Sequence, residues 1–240
     1  LDQAASQRLL RHLQAHSIRQ SPGQSAPAPV SMRNLQLAAI LAALKTALLP
    51  PDAEQVVIDI QRHGRHDLAT GCDLSRTIAY FSDTTRHPLP LPGAKNAANK
   101  DYVSQVQQAI QSQQQQIPGF SALRYMSQDP ARQQILTALP EAQIAINFLE
   151  DASRQRGDGH AGVEFITAQM HTRSYWQSPL LEPHYLLYLM CHFMDQELTL
   201  SVVYSEKIFA HSRIEDFGQA FLRGIEMLAA QALEPAFSPD

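Results

Sequence analysis

Apolar residues along this chain fall into blocks with two different periods. Leu9, Leu10, Leu13 and Ile18 recur at helical spacing among Gln, Arg and His, and predict a short amphipathic helix over residues 1–18. Residues 19–33 hold Pro22, Pro27 and Pro29 among Ser, Gly, Gln and Ala, the composition of an extended linker. Leu35 to Leu49 is then mostly Ala and Leu with a single Lys, opened by Asn34 as a candidate N-cap and ended by Pro50-Pro51. A helix apolar on every side belongs between layers.

Gln55 to Ile60 is a short β-branched run, the profile of a strand buried on both faces, and a basic turn, Gln61-Arg62-His63-Gly64-Arg65, follows it. A second strand is expected from Arg76 to Ser82, closed by Pro88, Pro90 and Pro92, because proline cannot donate to a central ladder. Tyr102, Val103, Val106, Ala109 and Ile110 mark a one-faced helix capped by Asn96 or Asn99, and its tail, Gln111 to Gln116, reads as a solvated last turn fading into a loop. Asp129-Pro130 opens another short helix through Ile135 and Leu139. Gln143 to Leu149 and Val163 to Met170 are strand candidates on either side of a polar loop at residues 150–162. Tyr185 to His192 and Glu197 to Tyr204 form an antiparallel pair around Met194-Asp195-Gln196, and Ile214, Phe217, Phe221, Ile225 and Leu228 lie along a long terminal helix from Ile214 to Leu233. Helices mixed with strands, without strict βαβ alternation, predict an α/β layered lobe over residues 34–240 with a mixed, mostly antiparallel sheet.

Composition narrows the function. With 240 residues and 44% hydrophobic content a real core is expected, and a formal charge of −4 leaves no basic footprint for nucleic acid or an anionic membrane. Cys72 and Cys191 are too few and too far apart for a disulfide framework, so free thiols and a cytoplasmic setting are expected. No apolar run reaches a membrane span, no secretory leader is visible, and a start at Leu1 suggests a segment of something longer. His171, His184 and His192 have no metal-ligand spacing, and nucleotide-binding glycine motifs and the G-x-S-x-G elbow are missing, so neither a metal nor a nucleotide cofactor is expected.

Four motifs add a resemblance. Gln61-Arg62-His63-Gly64-Arg65-His66 resembles the Glu-Gly-His-Gly-Arg-Glu signature of epimerization domains in nonribosomal peptide synthetases, members of the condensation-domain superfamily. Ser75-Arg76-Thr77-Ile78-Ala79-Tyr80-Phe81-Ser82, with Pro88-Leu89 after it, is similar to the family's Arg-Thr-Val-Gly-Trp-Phe-Thr and Pro-Val. Ile117 to Tyr125 resembles a Gly-rich motif ending in Leu-Arg-Tyr, and Ile146-Asn147-Phe148-Leu149 resembles Phe-Asn-Tyr-Leu. The four occur in the family's order and match the C-terminal half of such a domain.

The resemblance implies a chloramphenicol-acetyltransferase-like lobe forming one wall of a channel, into which a carrier protein delivers a thioester on 4′-phosphopantetheine. The base of the superfamily belongs to a His-His-x-x-x-Asp-Gly motif on the N-terminal lobe; this chain has no adjacent histidine pair, and Asp158-Gly159 is not preceded by one. The segment alone is therefore expected to lack catalysis, to bind no cofactor directly, and to meet a partner lobe or to self-associate through the face left exposed. Gln61 and His63 are the catalytic candidates, and Arg65, Arg76, Tyr80 and Asn147 the channel candidates. His63 can hold a proton near neutral pH or be a hydrogen-bonded strand-end residue. Gln61 stands where the family has a glutamate implicated in proton transfer, and an amide takes up no proton at ordinary pH. That departure opens an alternative: a non-catalytic platform for docking a carrier protein or another enzyme.

Overall fold

Ser31 has an extended backbone and its Oγ accepts the Asn34 N–H at 3.2 Å, which starts helix α1, Met32–Ala47. The cap thus lies three residues before Asn34, whose role is donor, and Ser31, Met32 and Arg33 belong to the helix and not to the linker. The computed structural model describes residues 31–63, 76–78, 81–93, 100–114, 120–149, 183–194 and 197–232, with Ala4, Ser6 and Gln7. Most of the expected N-terminal helix, the linker up to residue 30, the loop at 150–162 and the strand at 163–170 lie outside them.

Leu35, Leu37, Ile40, Leu41 and Leu44 of α1 are all buried, as an apolar helix between layers requires. Against it packs the terminal helix α5, His211–Ala232, which begins three residues earlier than its apolar repeat. Arg213 of α5 donates from Nε to the Ala47 carbonyl at 2.9 Å, closing the C-terminus of α1.

The strands form one five-stranded sheet in the order β2-β1-β3-β4-β5. Its strands are β1 (Gln55–His63), β2 (Ser82–Pro90), β3 (Ile144–Phe148), β4 (Leu187–Met194) and β5 (Glu197–Tyr204). The sheet is mixed, as expected. Its described pairings divide equally, however: β1/β2 and β4/β5 are antiparallel, β1/β3 and β3/β4 parallel, because the central three strands run the same way. Gln61, Arg62 and His63 complete β1 and do not form the expected turn.

The second strand differs most from its expectation. Arg76 sits in an exposed turn, and the ladder to β1 is made by Ser82–Pro90, prolines included. The reason is position: β2 is the edge. Pro88 and Pro90 are two apart, so both nitrogens face away from β1, where no ladder bond is lost. The carbonyls that point outward with them are taken up by helices. Tyr102 and Gln113 of α2, Lys100–Gln114, donate to Pro90 and Pro88 at 2.9 Å each, and Ser121 of α3, Phe120–Met126, reaches Thr84 at 3.4 Å. A sheet edge capped this way cannot recruit another strand.

Strand alternation sorts the side chains. Ile58, Ile60, Leu89, Ile144, Ile146, Leu187, Leu189 and Cys191 face the helices and pack against α1, Tyr102 and Val106 of α2, and Phe217, Phe221 and Ile225 of α5. Each fully buried large side chain contributes roughly 1.5–3 kcal/mol. Burial pushes the Cys191 thiol up to about 12, so it behaves as a small core residue. Helix α4, Pro130–Thr137, starts at Asp129-Pro130 as expected, with Asp129 as its cap, but ends before Leu139, and none of its residues is buried. No described helix is long and apolar enough to cross a membrane.

Candidate functional site

The sheet face turned away from α1 and α5 carries the polar chemistry. By register, β1 places Val57, Asp59 and Gln61 there, β2 Thr84 and Arg86, β3 Ala145 and Asn147, β4 Tyr188, Met190 and His192, and β5 Thr199, Ser201 and Val203. Two hydrogen-bonded clusters form on it.

The first is built on Asp59, buried beneath Arg86. Nε of Arg86 meets Oδ1 at 2.9 Å and Nη2 meets Oδ2 at 3.0 Å, a bidentate fork, and the Tyr185 hydroxyl donates to Oδ2 at 3.2 Å. Arg86 also donates to the Pro140 carbonyl and to Glu141, both at 2.7 Å, and Arg124 of α3 donates to the other oxygen of Glu141. These partners raise the Arg86 pKa further above its usual range, with the bond to Asp59 the largest cause, and the bond from Arg86 holds Glu141 below the usual carboxylate range. Burial, with Asp59 beside it, pushes the Tyr185 phenol up.

The second cluster holds Gln61, Tyr188 and Asn147. Ala145 lies between Asp59 and Tyr188 in register, and its short side chain lets the Tyr188 ring cross β3 toward β1. The Tyr188 hydroxyl donates to Gln61 Oε1 at 2.7 Å and accepts from Asn147 Nδ2 at 3.5 Å. The rings of Tyr185 and Tyr188, 6.4 Å between centroids, set the two clusters side by side.

Of the residues singled out in the sequence, the structure therefore brings Gln61 and Asn147 together, through a tyrosine. His63 ends β1 opposite Ser82, while Arg65 and Tyr80 lie outside the described residues. Arg76, exposed in its turn, has no described contact with either cluster. Asp59, Arg86, Tyr185 and Tyr188 were not anticipated. One signal was present: a lone carboxylate inside the run Val56-Val57-Ile58-Asp59-Ile60 needs a partner.

A third polar group sits on the helix side. His87 is buried between β2 and α2, with Nε2 2.7 Å from Thr85 Oγ1 and Nδ1 2.6 Å from Gln113 Oε1. Burial lowers its pKa. Gln113 is thus an anchor of the strand edge, not part of a solvated tail.

Chemically, this face holds Asp59, bonded to Arg86 and Tyr185, the Gln61 amide, and His192, which lies beyond Met190, half-buried with its Nδ1 bonded to no described residue. Among the described residues no group of three or more His, Cys, Asp or Glu could hold a metal.

No family model matches the chain. It is 27% identical over 173 residues, 72% of its length, to a linear gramicidin synthase of Brevibacillus parabrevis, of which it spans 3%. Its fold superposes with a TM-score of 0.71 on the epimerization domain from the third module of tyrocidine synthetase B, at 20% identity, covering 97% of this chain and 47% of that one. The fold is thus similar to about half of that epimerization domain. The lobe also superposes on the X-domain from teicoplanin biosynthesis solved in complex with OxyB, with a TM-score of 0.55 and 17% identity over 96% of this chain and 44% of that one. It spans less than half of either solved chain, and its five-stranded mixed sheet with helices is the acyltransferase-like architecture expected.

Proposed function

We propose that this lobe forms one wall of a channel that receives a carrier-protein-bound phosphopantetheine thioester in a nonribosomal peptide synthetase. The observation that carries the reading is the junction of Gln61 and Asn147 through Tyr188 on the sheet face away from the helices, since both residues come from motifs of the family. His63, Arg65, Arg76 and Tyr80 belong to the same wall in this reading. Proton transfer requires a base from a partner lobe, so the lobe alone binds without turnover. The test mixes the chain with a carrier protein loaded with an aminoacyl thioester and follows both association and the configuration of the recovered amino acid. Binding without epimerization or peptide-bond formation supports the reading; turnover by the chain alone overturns the half-site.

A second reading is favoured by Gln61, the amide in place of the family's glutamate. In it the lobe is a docking platform, in the manner of the X-domain that forms a complex with OxyB. The parental sequence upstream of Leu1 separates the two: a His-His-x-x-x-Asp-Gly motif there favours the enzyme, and its absence the platform.

A further inference from the structure

We propose that the Gln61 side chain is a carbonyl-binding group, locked with its NH2 toward the ligand by a one-way relay from Asn147 through Tyr188. The inference rests on the channel reading above and states what the channel wall does with its occupant.

A carboxamide has an accepting end and a donating end, and its neighbours decide which one a ligand meets. At Gln61 the accepting end is taken. The contact to Tyr188 is 2.7 Å, the usual length of an O–H···O bond, whereas that from Asn147 to Tyr188 is 3.5 Å, a long N–H···O bond. A phenol has a single proton. Given to Gln61 Oε1, it leaves the Tyr188 oxygen to accept from Asn147, and the relay has one direction. Gln61 Nε2 then carries two protons that bond to no described residue.

The surroundings select the ligand. Asp59, two residues away on the same face, is closed by Arg86 and Tyr185, so it does not compete for the Gln61 protons. An amide donor beside these groups suits an uncharged acceptor, a carbonyl oxygen. A thioester arm offers two kinds, the acyl carbonyl and the amide carbonyls of the arm. A glutamate at this position would take the same proton from Tyr188 and turn a second acceptor outward, so the glutamine converts a proton-accepting position into a donating one without moving the backbone.

The test uses the full chain, with side-chain amides labelled with 15N, and three soluble probes. S-acetyl-N-acetylcysteamine carries both carbonyls, S-ethyl-N-acetylcysteamine only the amide, and S-(2-hydroxyethyl) thioacetate only the thioester. The Gln61 NH2 pair is assigned by its loss in Gln61→Glu. The expected result is a shift of that pair with the two-carbonyl probe, about fivefold weaker binding of it by Gln61→Glu, the scale of one net hydrogen bond, and a smaller loss in Tyr188→Phe, where the amide is free to turn. The single-carbonyl probe that moves the pair identifies the oxygen bound. Probes that bind while the Gln61 pair stays still and Gln61→Glu binds equally well overturn this inference and leave the channel reading standing. If no probe binds wild type up to its solubility, both fail.

Discussion

Asp59 is only 4% exposed, and what permits a carboxylate there is the fork from Arg86 with the Tyr185 hydroxyl behind it. Removing one partner of a buried pair leaves the other uncompensated, which costs about 3–5 kcal/mol, whereas replacing both with apolar groups can be nearly neutral. Arg86→Met is therefore expected to lower unfolding stability by that amount in urea, and Asp59→Leu/Arg86→Met to recover a large part of it; a double-variant loss equal to the sum of the Asp59→Leu and Arg86→Met losses would mean the two side chains are not coupled. His87 gives a pH dependence. Burial lowers its folded pKa, and Arg62 and Arg33 act in the same direction, while Gln113 and Asp59 oppose. At a pH between the folded and unfolded values the unfolded chain binds a proton that the folded one does not. Its contribution is thus complete above the ordinary histidine value of about 6.5 and is lost as pH falls from there toward the folded pKa. Urea midpoints measured from pH 7.5 down to pH 5 should fall, and should fall less steeply in His87→Gln. The half-buried His192, whose pKa burial also lowers, acts in both proteins and cancels in the comparison.

At the scale of elements, the edge strand depends on its caps. Tyr102 is buried, with its hydroxyl on the Pro90 carbonyl, and burial pushes the phenol up. Tyr102→Phe strands that carbonyl and is expected to cost about 1–3 kcal/mol, read as a lower denaturation midpoint with the sheet signal retained. Gly224 faces Ala39 across the α1/α5 contact, and a Cβ there would lie 3.5 Å from Ala39 Cβ, an ordinary contact distance. Gly224→Ala should then stabilise by about 0.5–1 kcal/mol through helix propensity alone, and Gly224→Leu should destabilise; a fall in midpoint for the alanine variant would show that the helices cannot give even that contact. These elements also mark what could be read in advance. The long α5 carries its period in its own residues, while β1 was legible as a β-branched run and α1 as an apolar one. The position of β2 could not be read that way, because whether Pro88 and Pro90 stop a strand depends on their lying at an edge, which is set by neighbours elsewhere in the chain. The same holds for the site: Gln61 and Asn147 were found through motifs, but Asp59 and Arg86, or Gln61 and Tyr188, meet only through strand register across long sequence separations.

The sheet has one apolar face and one polar face. Helices α1 and α5 fill the first, whereas the second has a polar strip bounded by Val57 and Val203, the latter 55% exposed. Beside the β2 edge, α3 and α4 pack on each other and leave Tyr125, Met126 and Ile135 between 65% and 78% exposed. Apolar side chains grouped and exposed on a helical hairpin beside the sheet edge suit a contact with protein. If a partner lobe is that protein, the chain on its own should use the hairpin for a weaker substitute contact with a second copy. Sedimentation velocity is expected to show a species that grows with concentration, and Tyr125→Ser/Met126→Ser/Ile135→Ser to return it to the monomer. Because these side chains are already in water, the triple variant should unfold at the same urea midpoint as wild type, which distinguishes loss of association from loss of fold. A wild-type chain that stays monomeric at every concentration would remove the hairpin as the site of self-association.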